Sequence, residues 1–131
     1  MKVVAYSVKP FERESLAKAN QKKHDITLIF NSLSLETAVF ATGKTAVMVS
    51  SNDDVSAVVI DKLAQLGVKY ITMRTMLTLN IDKLAAARNG IKLANVPEEM
   101  DIANQTIKNL DLWEMNKCVG KSCVCAKACK L

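Results

Sequence analysis

The polar residues best placed to do chemistry lie in two short stretches, Ser51-Asn52-Asp53-Asp54 and the run from Arg74 to Asp82. Arg74 follows Val68-Lys69-Tyr70-Ile71-Thr72-Met73, a β-branched and aromatic run that reads as a buried strand after the helix-ending Gly67. Asn80 or Asp82 then opens the next helix. In open α/β sheets ligands bind outside the carboxyl ends of the strands, so a site belongs at Arg74. Its guanidinium could hold a carboxylate or phosphate, or pair with Asp53 or Asp54 across neighbouring strand ends. Asn52-Asp53-Asp54 is a site loop at a strand end or a helix cap. Between Arg74 and Asn80 the loop is Thr75-Met76-Leu77-Thr78-Leu79, with two hydroxyls, three large apolar side chains and no glycine.

Other chemistry is sparse. The one histidine, His24, sits in Lys22-Lys23-His24-Asp25 and reads as a solvated turn residue, since no nucleophile or carboxylate pair accompanies it. Gly43-Lys44-Thr45 lacks the upstream glycine of a phosphate cradle, and no GxGxxG occurs among the four isolated glycines. The specific signal is at the end of the chain, where Cys118-x4-Cys123-x-Cys125-x3-Cys129 gathers all four cysteines. Four thiolates can close a zinc site or hold an iron–sulfur cluster, although this spacing matches neither zinc ribbons nor ferredoxins. A reduced or oxidisable metal-free tail and a disulfide pair are the alternatives.

The elements that must position these residues alternate. Strands are expected at 2–8, 26–30, 45–49, 68–73 and 91–96, the last stopped at Pro97. Helices are expected at 10–22, at 34–42 as a short piece, at 55–66, at 80–89 and at 98–115. Pro10 suits a first helical turn, with Glu12 and Glu14 early and Lys22 and Lys23 late to match the dipole. Strands and helices alternating at this spacing predict a three-layer flavodoxin-like α/β domain, a five-stranded parallel sheet with helices on both faces.

At 131 residues the chain fits one domain with a proper core. Its opening Met1-Lys2-Val3-Val4-Ala5-Tyr6 is too short an apolar run for a signal peptide, and no segment reaches the length of a membrane span. A cytoplasmic protein is expected. Of the net charge of +5, four units come from Lys117, Lys121, Lys127 and Lys130, which leaves +1 for the body. Without an arginine stripe or an aromatic platform, this basic tail does not point to nucleic acid.

A family resemblance now emerges. Asn52-Asp53-Asp54, Gly67-Val68-Lys69-Tyr70-Ile71 with Arg74, and Asn80-Ile81-Asp82 resemble the substrate domain of the D-lactate dehydrogenases, which belong to the D-isomer-specific 2-hydroxyacid dehydrogenases. Met1 to Ser7 and Gly90 to Pro97 are similar to that family too. The resemblance implies a substrate domain interrupted after its fifth strand by a nucleotide-binding domain and completed by a returning helix. Here Ala103 to Leu110 resembles that helix, a few residues after Pro97. The likeness covers residues 1–116 and leaves 117–131 as a Cys/Lys-rich tail.

What the resemblance implies about function turns on departures from it. The family's catalytic histidine, its paired glutamate, its arginine and its coenzyme site have no counterpart here, so neither catalytic residues nor NAD binding is expected. Asn52, Asp53, Arg74 and Asn80 are the substrate-site remnants. The family's glycine loop after the fourth strand is replaced by Met76, Leu77 and Leu79, whose side chains hinder close approach of an anion to the backbone. The expectation is a non-catalytic binding or regulatory domain. The alternatives are an accessory part of a dehydrogenase whose nucleotide domain comes in trans, and a metal or redox module with zinc or iron at Cys118, Cys123, Cys125 and Cys129. Met76-Leu77-Thr78-Leu79 is expected to mediate a homodimer or contact another protein, or else to fold onto the last helix against Ile107 or Leu110. The sequence names no small-molecule ligand.

Overall fold

A computed structural model describes residues 1–75, 80–97 and 101–125. Its elements are β1 (Lys2–Ala5), α1 (Pro10–Asn20), β2 (Asp25–Leu28), a 3-10 helix (Thr37–Ala41), β3 (Ala46–Val49), α2 (Ala57–Gln65), β4 (Tyr70–Met73), α3 (Lys83–Arg88), β5 (Lys92–Ala94) and α4 (Ile102–Glu114), followed by a 3-10 turn at Gly120–Ser122. The strands form one parallel sheet in the order β2-β1-β3-β4-β5. That is the flavodoxin-like order, with the reversal at β1 and β3.

Period-two alternation assigns each strand residue to a layer. Val3 and Ala5 of β1 and Ala46 and Met48 of β3 meet Leu16 of α1 and Ile107, Leu110 and Trp113 of α4. Val4, Val47, Val49, Ile71 and Met73 meet Val59, Ile60 and Leu63 of α2 and Ala85 and Ala86 of α3. The middle strand β3, Ala46-Val47-Met48-Val49, is apolar throughout because both its faces are covered. On the α4 face Tyr70 stacks on Trp113, with ring centroids 4.8 Å apart.

Several ends fall inside the expected ranges. The second strand stops at Leu28, so Phe30 lies beyond it and stands exposed. The next-to-last helix opens at Asp82 rather than Asn80, because the Asp82 Oδ1 accepts from the Ala85 N–H at 2.9 Å. Among the described residues no helix is long and apolar enough to cross a membrane.

His24 corrects the sequence reading. It is only 5% exposed, not a solvated turn residue. Asn20 closes the turn from both sides, with its Nδ2 donating to the His24 carbonyl (2.8 Å) and its Oδ1 accepting the His24 N–H (2.9 Å). The imidazole is thereby tucked beneath the last turn of α4, with Nε2 2.8 Å from the Asp111 Oδ1 and Nδ1 3.2 Å from the Met1 ammonium. An ionised carboxylate only accepts, so Nε2–H donates to Asp111, while Nδ1 faces both the Met1 ammonium and the Glu114 Oε2, 3.4 Å away.

After α4, residues 119–124 pack on the body. Val119 joins the α4-side core, and the Gln105 Nε2 donates to the buried Ser122 Oγ at 3.0 Å. The Asn95 N–H donates to the Ser122 carbonyl and the Val124 N–H to the Leu93 carbonyl, with Cys123 bridged antiparallel to Ala94. The segment thus lies along the outer edge of β5, a row of backbone groups that would otherwise invite pairing with another chain.

Candidate functional site

The carboxyl ends of β1, β3 and β4 converge on Ser7, Asp53 and Arg74. Ser7 has φ +55, a left-handed conformation that turns the chain sharply after β1. Its hydroxyl donates to the Asp53 Oδ1 at 2.6 Å, while its carbonyl accepts from the Arg74 Nη2 at 3.1 Å. Asp53, 3% exposed, also accepts from the Leu33 N–H on Oδ1 (2.7 Å) and from the Ser50 N–H on Oδ2 (2.7 Å). A buried carboxylate with three short donors is well satisfied, and here it ties together the chain after β1, the chain after β2 and the end of β3.

Arg74 is equally enclosed, at 3% exposure. Its Nε pairs with the Glu12 Oε2 at 2.9 Å, and its Nη2 donates to the carbonyls of Tyr6 (2.8 Å) and Ser7. Arginine suits this place because its fork reaches a carboxylate and two carbonyls at once. The pairing with Asp53 or Asp54 considered from the sequence does not occur; Glu12 lies across the sheet end on the first turn of α1 and takes that role. Asn80 sends its Nδ2 to the carbonyls of Ser50 (3.1 Å) and Asp53 (2.8 Å). Asn52 stands exposed at the rim. The capping reading of this loop is also corrected. The Asp53 carboxylate is taken up by Ser7, Leu33 and Ser50, and the N-cap Ser56 makes no side-chain cap; Asp54 accepts from the Ser56 N–H at 3.0 Å.

Of the expected remnants, the fold therefore joins Asp53, Asn80 and, through Ser7, Arg74. The sequence reading missed Ser7 and Glu12. Glu12 carried only a helix-dipole signal, and its three-residue spacing from Lys9, whose N–H it accepts at 3.1 Å, is a capping-box pattern that could have drawn attention to it. Burial, and after it the charge of Asp53, push the Tyr6 phenol well above the usual tyrosine range. Tyr6 stays protonated and donates to the Thr37 carbonyl at 2.7 Å.

In the tail, Cys118, Cys123 and Cys125 are half-buried. The Cys125 Sγ accepts from the Leu93 N–H at 3.2 Å. Among the described residues no group of three or more His, Cys, Asp or Glu is gathered as a metal site. Cys129 and the Met76 to Leu79 stretch lie outside the described residues.

A family model for the catalytic domain of D-isomer specific 2-hydroxyacid dehydrogenases matches residues 3–107. The chain belongs to that family. It is 38% identical over 98 residues to 2-hydroxyacid dehydrogenase homolog 1 of Schizosaccharomyces pombe, covering 74% of this chain and 30% of that protein. It is 37% identical over 98 residues to the D-lactate dehydrogenase of Escherichia coli, with the same coverage. The apo-structure of D-lactate dehydrogenase from Escherichia coli superposes with a TM-score of 0.73 at 34% identity, over 75% of this chain and 32% of that one. The Salmonella D-lactate dehydrogenase structure gives 0.73 at 33% identity, over 75% and 30%. The chain thus spans about 30% of the length of the curated relatives it matches. The 2-hydroxyacid dehydrogenase fold of this part, including its parallel sheet, is the fold expected from the sequence.

Proposed function

We propose that this chain is a substrate-domain-like module of the 2-hydroxyacid dehydrogenase family that acts by binding, without dehydrogenase activity of its own. One observation carries the reading: Asp53, Asn80 and most of the Arg74 guanidinium at the sheet end are held by other parts of the fold. Three of the donors on Asp53 are internal, the Arg74 Nε and Nη2 are held by Glu12 and two carbonyls, and the Asn80 amide holds two more. Groups fixed this way shape loops; they are not poised to take a substrate carboxylate. The connection between β5 and α4 agrees with it. Where the family resemblance implies an inserted coenzyme domain, seven residues (95–101) separate Ala94 from Ile102.

Fold likeness carries no activity without its site. The purified chain is expected to give no NADH fluorescence enhancement and no reduction of pyruvate. Saturable enhancement at micromolar NADH, or turnover of pyruvate, overturns the proposal.

A further inference from the structure

The two edges of the sheet are treated differently. Residues 122–124 run along β5, whereas among the described residues nothing pairs with the outer side of β2. The Asp25 and Ile29 N–H groups donate inward to the Met1 and Ala5 carbonyls, both at 3.0 Å. Alternation along the strand then turns the N–H and C=O of Ile26 and Leu28 outward. Asp25-Ile26-Thr27-Leu28 pairs residue for residue with β1, so no bulge, proline or lysine within the strand blunts this edge.

Apolar surface gathers beside it. Ile26 and Leu28 are half-buried and, with Leu16, Ala17 and Asn20 of α1, line a groove of about 110 Å³. The chain that leaves β2 exposes Phe30, Leu35, Val39 and Phe40. It returns over the opposite face of the sheet through the 3-10 helix, whose Ala38 and Ala41 join the core with Val4. A single exposed apolar side chain needs no explanation, but four in one segment beside an open edge mark a contact.

The edge is complementary to itself. With β2 antiparallel to β2 of a second copy and Thr27 opposite Thr27, Ile26 of each chain faces Leu28 of the other. These two pairs exchange four backbone hydrogen bonds and use every outward group. A shift toward His24 finds its N–H and C=O already held by Asn20, and a shift toward Phe30 passes the end of the strand. Charge aligns in the same register. The Lys44 Nζ donates to the Thr27 Oγ1 at 3.3 Å, and the partner's Thr27 lies diagonal to Asp25, so each Lys44 comes within reach of the partner's Asp25.

We propose that two copies of this chain join through β2, antiparallel about a twofold axis, so that their sheets become one continuous sheet. The contact is independent of the non-catalytic reading. Turnover of pyruvate would leave it standing, and a monomeric chain would leave that reading standing.

Sedimentation of the full chain is the test. A reversible dimer is expected, half associated at about 10–100 μM, as suits a small interface. Thr27 is exposed, so Thr27→Lys and Thr27→Glu should fold normally, which circular dichroism would verify. Each variant alone sets like charges opposite one another at the centre of the contact and should weaken association about tenfold or more. Mixed in equal amounts, the two variants should dimerise again. If either fails to fold, amide exchange on the unsubstituted chain decides: Ile26 and Leu28 should exchange several-fold more slowly at about 500 μM than at about 5 μM. The proposal fails if the chain is monomeric at about 500 μM, if Thr27→Lys associates as tightly as the unsubstituted chain, if the mixture stays monomeric, or if exchange at Ile26 and Leu28 does not depend on concentration.

Discussion

Replacing Asp53 by alanine should be among the most damaging changes available at the sheet end, although no ligand is involved. The carboxylate serves the Ser7 hydroxyl, the Leu33 N–H and the Ser50 N–H at 2.6 to 2.7 Å. Of these, the bond to Leu33 is fully buried, and the other two are partly so. A buried donor left without an acceptor costs about 1–3 kcal/mol, and a partly wetted one less, so Asp53→Ala should lose about 3–5 kcal/mol. Domains of this size hold only about 5–15 kcal/mol in all, so much of the stability goes. Asp53→Asn keeps one carbonyl acceptor, which can turn toward Ser7 and Leu33, but it sets an NH2 against the Ser50 N–H; it should lose about 1–3 kcal/mol. The neighbour Asn52 is exposed, and Asn52→Ala should change stability by under about 0.5 kcal/mol. Urea unfolding followed by fluorescence of Trp113, the only tryptophan and 2% exposed, reads all three. An Asp53→Ala loss below about 1 kcal/mol, or one no larger than that of Asp53→Asn, refutes the view that Asp53 anchors these loops.

Three further outcomes concern the α4 side of the sheet. Burial pushes the Asp111 carboxyl up, but hydrogen bonds from Lys23 and His24 outweigh it and hold the pKa below the usual range. A depressed folded pKa stabilises above the unfolded value and is lost as pH falls, so stability should decline below about pH 4, and Asp111→Asn should flatten that decline in urea titrations at pH 3 to 6. Trp113→Ala, measured in the same way by circular dichroism, should cost about 3–5 kcal/mol through the cavity it leaves. Tyr70→Leu, which keeps burial and loses the stack, should cost about 0.5–1.5 kcal/mol.

Much was legible from the sequence because it depends on short-range order. Apolar and β-branched runs placed all five strands, and their alternation with helices the three-layer parallel sheet; Pro10 marked the first turn of α1; Asp82 caps α3 across three residues. These signals come from backbone and side-chain preferences that act within a turn or a strand, so composition and spacing expose them. The partners of the polar side chains did not follow. Arg74 finds Glu12 across 62 residues, Ser7 finds Asp53 across 46, and His24 finds Asp111 across 87. Which charge meets which depends on strand order and crossover direction, since these decide which loops share one end of the sheet. His24 reads as solvent-facing from its neighbours Lys22, Lys23 and Asp25, and is buried only because α4 returns over it. The same return places the start of α4 near Arg74 and residues 122–124 along the edge of β5. Periodicity tells a residue which face it is on, but only the packed sheet decides what waits there.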